Sequence, residues 1–156
     1  MFVYTMKASG LKFFAVVAVS VIVLASAIGI LPSISASADV ANVSTDYKNI
    51  STEEDMVDFL SKMGYEVEPV PTNAFEVNIP NNFNSVYEQY NEIQRSQGLN
   101  LKRYAGKDAT VYIYKITNYK YDGDVFATLF IRNGRVIAGD ICSKEGEGFI
   151  HSFENS

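Results

Sequence analysis

After residue 50 the chain alternates between two periods of apolar spacing, and before residue 32 it carries one long uncharged apolar run. In STEEDMVDFLSKMGY, Met56, Phe59, Leu60 and Met63 fall at i, i+3, i+4 and i+7, one apolar stripe of a helix. Ser51 and Glu54 have the spacing of a capping box, with Asp55 and Asp58 near the positive end of the dipole. Gly64 stands where a left-handed C-terminal cap is wanted. YEVEPVP and AFEVNIP then alternate at period 2, and each closes on proline. They predict two short strands or edge segments, because Pro69, Pro71 and Pro80 argue against a central position.

A second helix is predicted within NSVYEQYNEIQRSQG. Asn84 caps it, Val86, Tyr90, Ile93 and Gln97 share one face, Tyr87 and Gln94 lie on an adjacent face, and Gly98 ends it. LNLKRYAGKDA reads as a loop that tucks Leu99, Leu101 and Tyr104 under the fold. The runs TVYIYKITNY, VFATLFI and RVIAGDIC are rich in β-branched and aromatic residues and predict three strands. Asn133-Gly134 between the last two signals a type I′ hairpin, and Asp122-Gly123 makes a looser turn before them. The expected fold is α+β in the order α-β-β-α-β-β-β, with two helices packed on one face of a mainly antiparallel sheet.

The uncharged run Phe13 to Leu31 has 19 residues, and at ~1.5 Å per residue a helix of that length spans about 28 Å, enough to cross a bilayer. Lys7 and Lys12 precede it and the next basic residue is Lys48, so the positive-inside bias predicts a cytoplasmic N-terminus and an extracytoplasmic remainder. Two readings stay open. The segment is a single-pass anchor in the cell membrane, or it is a signal peptide cleaved after Ala38 in the small-residue stretch ASA, which releases a secreted domain. Residues 1–12 are then a basic cytoplasmic region, 13–31 the membrane or signal segment, 32–50 a polar tether and 51–156 the folded domain.

Charge narrows the partners. The chain has 13 basic and 18 acidic residues, and with Lys7 and Lys12 set aside the exported part is strongly acidic, which repels phosphate backbones and argues against nucleic acid. One cysteine permits no internal disulfide, and one cysteine with one histidine would leave a zinc ion dependent on carboxylates. Neither a metal nor a cofactor is expected.

The segments FLSKMGYEVEP, IPNNFNSVYEQYNEIQRSQGLNLKRYAGK, NGRVIAGDICS and GFIHSF together resemble an uncharacterised domain of cell-envelope proteins in Gram-positive Firmicutes, a domain of unknown function catalogued as DUF4830. The likeness covers Phe59 to Phe153, and VYEQYNEIQRSQG and GRVIAGDICS are its most specific parts. The resemblance implies a domain placed after a single N-terminal membrane segment. It implies no activity, ligand or catalytic residue.

The residues offer one candidate constellation for catalysis. Cys142 would be a nucleophile, His151 its base, and Asp140 or Glu147 the group that orients the base. Asp140 and Cys142 share a strand face, and SKEGEG is a loop that could fold His151 back toward them. However, the segment has no cysteine-hydrolase signature and no helix N-terminus follows Cys142, so a structural cysteine and a non-enzyme are expected, with a thiol-dependent enzyme or redox protein as the alternative. Glu53, Glu54, Asp55 and Asp58 are accounted for by capping, and Glu88 with Glu92 by a solvated helix face.

Nine tyrosines follow the apolar run, concentrated around the second helix and the first strand of the C-terminal set. Tyr87, Gln94, Lys102, Arg103 and Lys107 combine aromatic, amide and cationic groups, and they are the expected binding patch. The expected function is a non-catalytic, membrane-tethered extracytoplasmic domain that binds a protein or peptide at the cell envelope. A cell-wall glycan-binding module is a further alternative, with no tryptophan to support it.

Overall fold

The computed structural model describes residues 45–154, so the segment 13–31 and the Ala38 cleavage point lie outside the described residues. Helix α1 spans Glu53–Lys62, and its cap is Thr52, one residue later than the spacing predicts. Thr52 Oγ1 accepts from the Asp55 N–H at 3.1 Å, and Asp55 Oδ2 accepts from the N–H groups of Thr52 and Ser51 at 2.9 and 3.0 Å. Those backbone hydrogen bonds hold the Asp55 carboxyl below its ordinary value. Aspartate takes the role expected of Glu54, and a cap of this kind stabilises a helix by about 1 kcal/mol. Met56, Phe59 and Leu60 are buried as the stripe requires, and Gly64 closes the helix at φ +88°.

Helix α2 spans Ser85–Ser96 and is capped by Asn84, whose Oδ1 accepts from Val86 and Tyr87 N–H at 3.1 and 3.0 Å. A 3₁₀ turn over Leu101–Tyr104 follows, in what the sequence suggested was loop, and it buries Leu101. Five strands, β1 Asn73–Asn78, β2 Asp108–Ile116, β3 Val125–Arg132, β4 Arg135–Ser143 and β5 Phe149–His151, form one open antiparallel sheet in the order β1-β2-β3-β4-β5. At the β3–β4 hairpin Asn133 and Gly134 both take positive φ, 50° and 68°, as a type I′ turn demands.

Two strand expectations are corrected. Of the first predicted strand, only Val67 pairs with β2, as an isolated bridge to Ile116. Between that bridge and the Asn73–Ile113 pair the edge chain uses three residues more than β2 does, and Pro69, Val70 and Pro71 form the resulting outward kink. The short β5, unanticipated from the sequence, pairs with β4 through Ile141–His151, Cys142–Ile150 and Ser143–Phe149.

The helices are also corrected: they cover opposite faces of the sheet. Met56, Phe59 and Leu60 of α1 share a core with Tyr114, Val125, Ala127, Leu129 and Ile141. Tyr90 of α2 shares a second core with Val111, Phe130, Ile137 and Ala138. Side chains alternate across a strand, so Leu129 and Phe130 must point to different sides. The central strands are apolar on both alternations and each face needs a cover; burying one such side chain is worth about 1.5–3 kcal/mol. Packing also begins earlier than Ser51, because Tyr47 and Ile50 are buried and the Tyr47 carbonyl accepts from Val136 N–H at 2.9 Å. Residues 45–50 therefore belong to the domain and not to the tether.

Candidate functional site

Cys142 and His151 do not meet. In an antiparallel ladder, residues directly opposite each other project to the same face, so His151 lies on the face of its partner Ile141 and Cys142 on the other. Cys142 instead shares its face with Asp140, whose carboxyl lies beside the Tyr90, Cys142 and Thr128 side chains. The Tyr90 hydroxyl donates to Asp140 Oδ2 at 2.6 Å. Asp140 is 4% exposed, and burial pushes its carboxyl up to about 6 against the opposing pull of the Tyr90 hydroxyl and its other polar neighbours. Cys142 is half-buried, and burial together with the Asp140 charge raises its thiol far above its ordinary range. A nucleophilic thiol needs the reverse, a neighbouring cation that lowers its pKa.

His151 belongs to an aromatic group on the α1 face. Its Nε2 pairs with the Tyr119 hydroxyl at 2.8 Å, and its Nδ1 lies 2.6 Å from the Ser152 carbonyl. The Tyr119, Phe149 and His151 rings are mutually within 30° of parallel, with centroids 5.4 to 6.0 Å apart. Glu147, the other candidate orienter, is exposed in the β4–β5 loop.

The expected binding patch divides. Tyr87 packs on Phe83 at 5.4 Å between centroids, Lys102 pairs with Glu88 and stands 6.0 Å above the Phe83 ring, and Arg103 and Lys107 are exposed nearby in sequence. Gln94 leaves this group: it is fully buried at the α2–β4 contact. Its Oε1 accepts from Gly139 N–H at 2.8 Å and from Gln97 Nε2 at 2.9 Å, and its own Nε2 has no partner. The buried side of α2 therefore carries Tyr90, Asn91 and Gln94, with Gln97 at its C-cap, polar residues that each hydrogen-bond inside the fold. An amide pair at i, i+3 and an isolated glycine in a strand were the available signals for this contact.

An open groove of about 1310 Å³ lies between α1, residues 45–50 and Phe153–Glu154. Phe59 and Phe153 meet edge to face at 5.3 Å and Tyr65 and Tyr119 stack at 6.4 Å at its floor, where Phe59, Tyr65 and Phe153 are buried in the core and Tyr119 is half-buried. Asp46, Asp55, Asp58 and Glu154 line it together with Lys48, Lys62 and Lys120. Among the described residues no cluster of three or more His, Cys, Asp or Glu has the arrangement of a metal site, and no helix is long and apolar enough to cross a membrane.

The family model described as Domain of unknown function (DUF4830) matches residues 59–141. The chain belongs to this family. The match runs from the α1 core residue Phe59 to Ile141 of β4, so it takes in the last turn of α1, all of α2, β1 to β3, most of β4 and the buried Gln94–Gly139 contact of this DUF4830 domain. No curated protein and no solved structure matches the chain.

Proposed function

We propose that this DUF4830 domain is a non-catalytic extracytoplasmic module, tethered by the 13–31 segment, that binds a protein or peptide at the cell envelope. The groove carries the reading: a part-exposed ring, Tyr119, and lining residues of both charges suit a polypeptide, which offers apolar side chains beside ions of either sign. The separation of Cys142 from His151 and the raised thiol support it by removing the constellation on which an enzyme would have rested.

Panning a random-peptide display library against the full chain in detergent micelles tests the reading. Enriched peptides whose affinity falls about tenfold on Tyr119→Ala support it, since a central aromatic anchor is worth that much or more. A library that returns nothing above empty micelles ends it. The near-parallel rings of Tyr119, Phe149 and His151 favour a second reading, a module for cell-wall glycan. Co-sedimentation with purified glycan strands, lost in Tyr119→Ala, is its test.

A further inference from the structure

The sheet ends in β1 on one side and in the three-residue β5 on the other, and the outer sides of β4 and β1 are treated differently. Along the outer edge of β4, Lys48 bridges to Arg135, the Tyr47 carbonyl accepts from Val136 N–H, Gln94 and Gln97 side chains occupy the N–H and C=O of Gly139, and β5 covers Ile141 to Ser143. Every stretch of that edge has a partner. The opposite edge is β1, paired to β2 in continuous register from Asn73 to Asn78 and covered by no other strand.

Ile79 N–H donates to the Lys107 carbonyl at 2.9 Å, so by the alternation of an antiparallel ladder Val77 and Phe75 bond to β2, while Ala74, Glu76 and Asn78 turn their N–H and C=O outward. All three are exposed. Exposed edges in folded proteins are blunted by charged side chains, lysine above all, by proline, by a bulge or by a covering element. Residues 73–78 have no lysine, proline or bulge, and Glu76 is their one charged side chain. Beside them the Pro69-Val70-Pro71 kink presents Val70, 64% exposed and the one large hydrophobic residue so exposed among the described residues.

The chemistry of the edge selects its occupant. From Glu66 to Asn78 it carries three exposed carboxylates, Glu66, Glu68 and Glu76, and no cation. A second copy of the chain would bring the same acidic strand, and antiparallel self-pairing centred on Glu76 would set the two Glu76 side chains directly opposite, which is destabilising. We propose that the β1 edge docks an extended, lysine- or arginine-bearing polypeptide segment of a partner, which adds as a sixth strand through the outward N–H and C=O groups of Ala74, Glu76 and Asn78. The inference rests on the reading of the domain as a polypeptide binder and gives that binding a second surface, distinct from the groove.

The test uses the full chain in detergent micelles and a short synthetic peptide that alternates lysine with valine, beside its glutamate–valine counterpart. Amide hydrogen exchange at Ala74, Glu76 and Asn78 is expected to slow by about tenfold or more with the lysine peptide and to stay unchanged with the glutamate peptide. Ala74→Pro removes one outward N–H at an edge position where proline is tolerated, and it is expected to abolish the protection. Glu76→Lys, which keeps every backbone group, is expected to reverse the preference between the two peptides and covers the case in which the proline variant fails to fold. No slowing by the lysine peptide overturns the inference. Binding that survives both variants and is lost in Tyr119→Ala also overturns it, placing the peptide in the groove and leaving the binder reading intact. That reading fails separately, when the display library returns nothing.

Discussion

Gln97 donates from Nε2 to the Gly139 carbonyl at 2.9 Å, while its Oε1 accepts from the Phe153 N–H at 2.8 Å. The Ile141–His151 pair, carried two residues further, would set Gly139 opposite Phe153. A side-chain amide thus replaces one rung of the β4–β5 ladder and ties α2 to the sheet and to the chain end. Gln97→Leu fills similar space but leaves the Gly139 C=O and the Phe153 N–H unpaired in a buried site. A buried unpaired group costs roughly 1–3 kcal/mol, so the variant is expected to lose about 3 kcal/mol in urea denaturation. A loss no larger than that of an exposed control such as Gln89→Leu would show that water replaces the rung.

Gly139 is the position where the fold admits no side chain. A Cβ there would stand 2.2 Å from Phe153 Cζ and 2.5 Å from the Thr128 carbonyl oxygen. The ring can move, but the carbonyl belongs to the paired strand β3 and cannot. Gly139→Ala is therefore expected to destabilise the domain by about 3 kcal/mol or to abolish folding, measured by thermal melting. An unchanged melting temperature would contradict the close approach.

Asp140 makes stability depend on pH in a direction opposite to that of a salt-bridged carboxylate. Its folded value of about 6 lies above the ordinary 3.8, because burial favours the neutral acid. The stabilisation it gives is complete below about pH 3.8 and is lost as pH rises through about 6. Asp140→Asn stays neutral throughout. The stability of the native protein relative to this variant is expected to fall by on the order of 3 kcal/mol across that window. Parallel urea midpoints for the two proteins over the same range would refute the assignment.

The thiol of Cys142 is expected to be slow toward iodoacetamide at neutral pH, by about a hundredfold or more against the same protein in denaturant. Asp140→Asn removes the neighbouring negative charge and should speed the reaction, whereas His151→Ala, on the other face of the sheet, should leave it unchanged. Fast labelling that is slowed by His151→Ala would restore the cysteine–histidine pair and, with it, the thiol-dependent alternative.

Local order was legible from the sequence because its causes act within a few residues. The stripe Met56, Phe59, Leu60, the Asn84 cap, the glycine ends at Gly64 and Gly98 and the Asn133-Gly134 turn all depend on i to i+4 chemistry, and each stands in the structure as the pattern indicates. The Thr52–Asp55 box was missed by one residue, since Ser51 and Glu54 offer the same chemistry at the same spacing. The α+β class and the antiparallel C-terminal strands followed from the same local signals.

Only the tertiary structure decided which groups meet. The parity of the β4–β5 register puts Cys142 and His151 on opposite faces, and no local pattern fixes the pairing of a three-residue strand. Gln94 reads as a solvent-facing helix residue until its carboxamide is seen to accept from Gly139, 45 positions away. The Gln97 rung joins residues 42 and 56 positions apart. Hydrogen bonds of that range let polar side chains be buried where hydropathy would expose them, and they form only when the sheet and α2 have come together. The sequence by itself therefore determined the two helices, the β1 to β4 strands and the hairpin turn, but not β5, the 3₁₀ turn or the break at Pro69–Pro71. The long-range pairing of strands and amides determined the faces, the covered outer side of β4 and the open edge at β1.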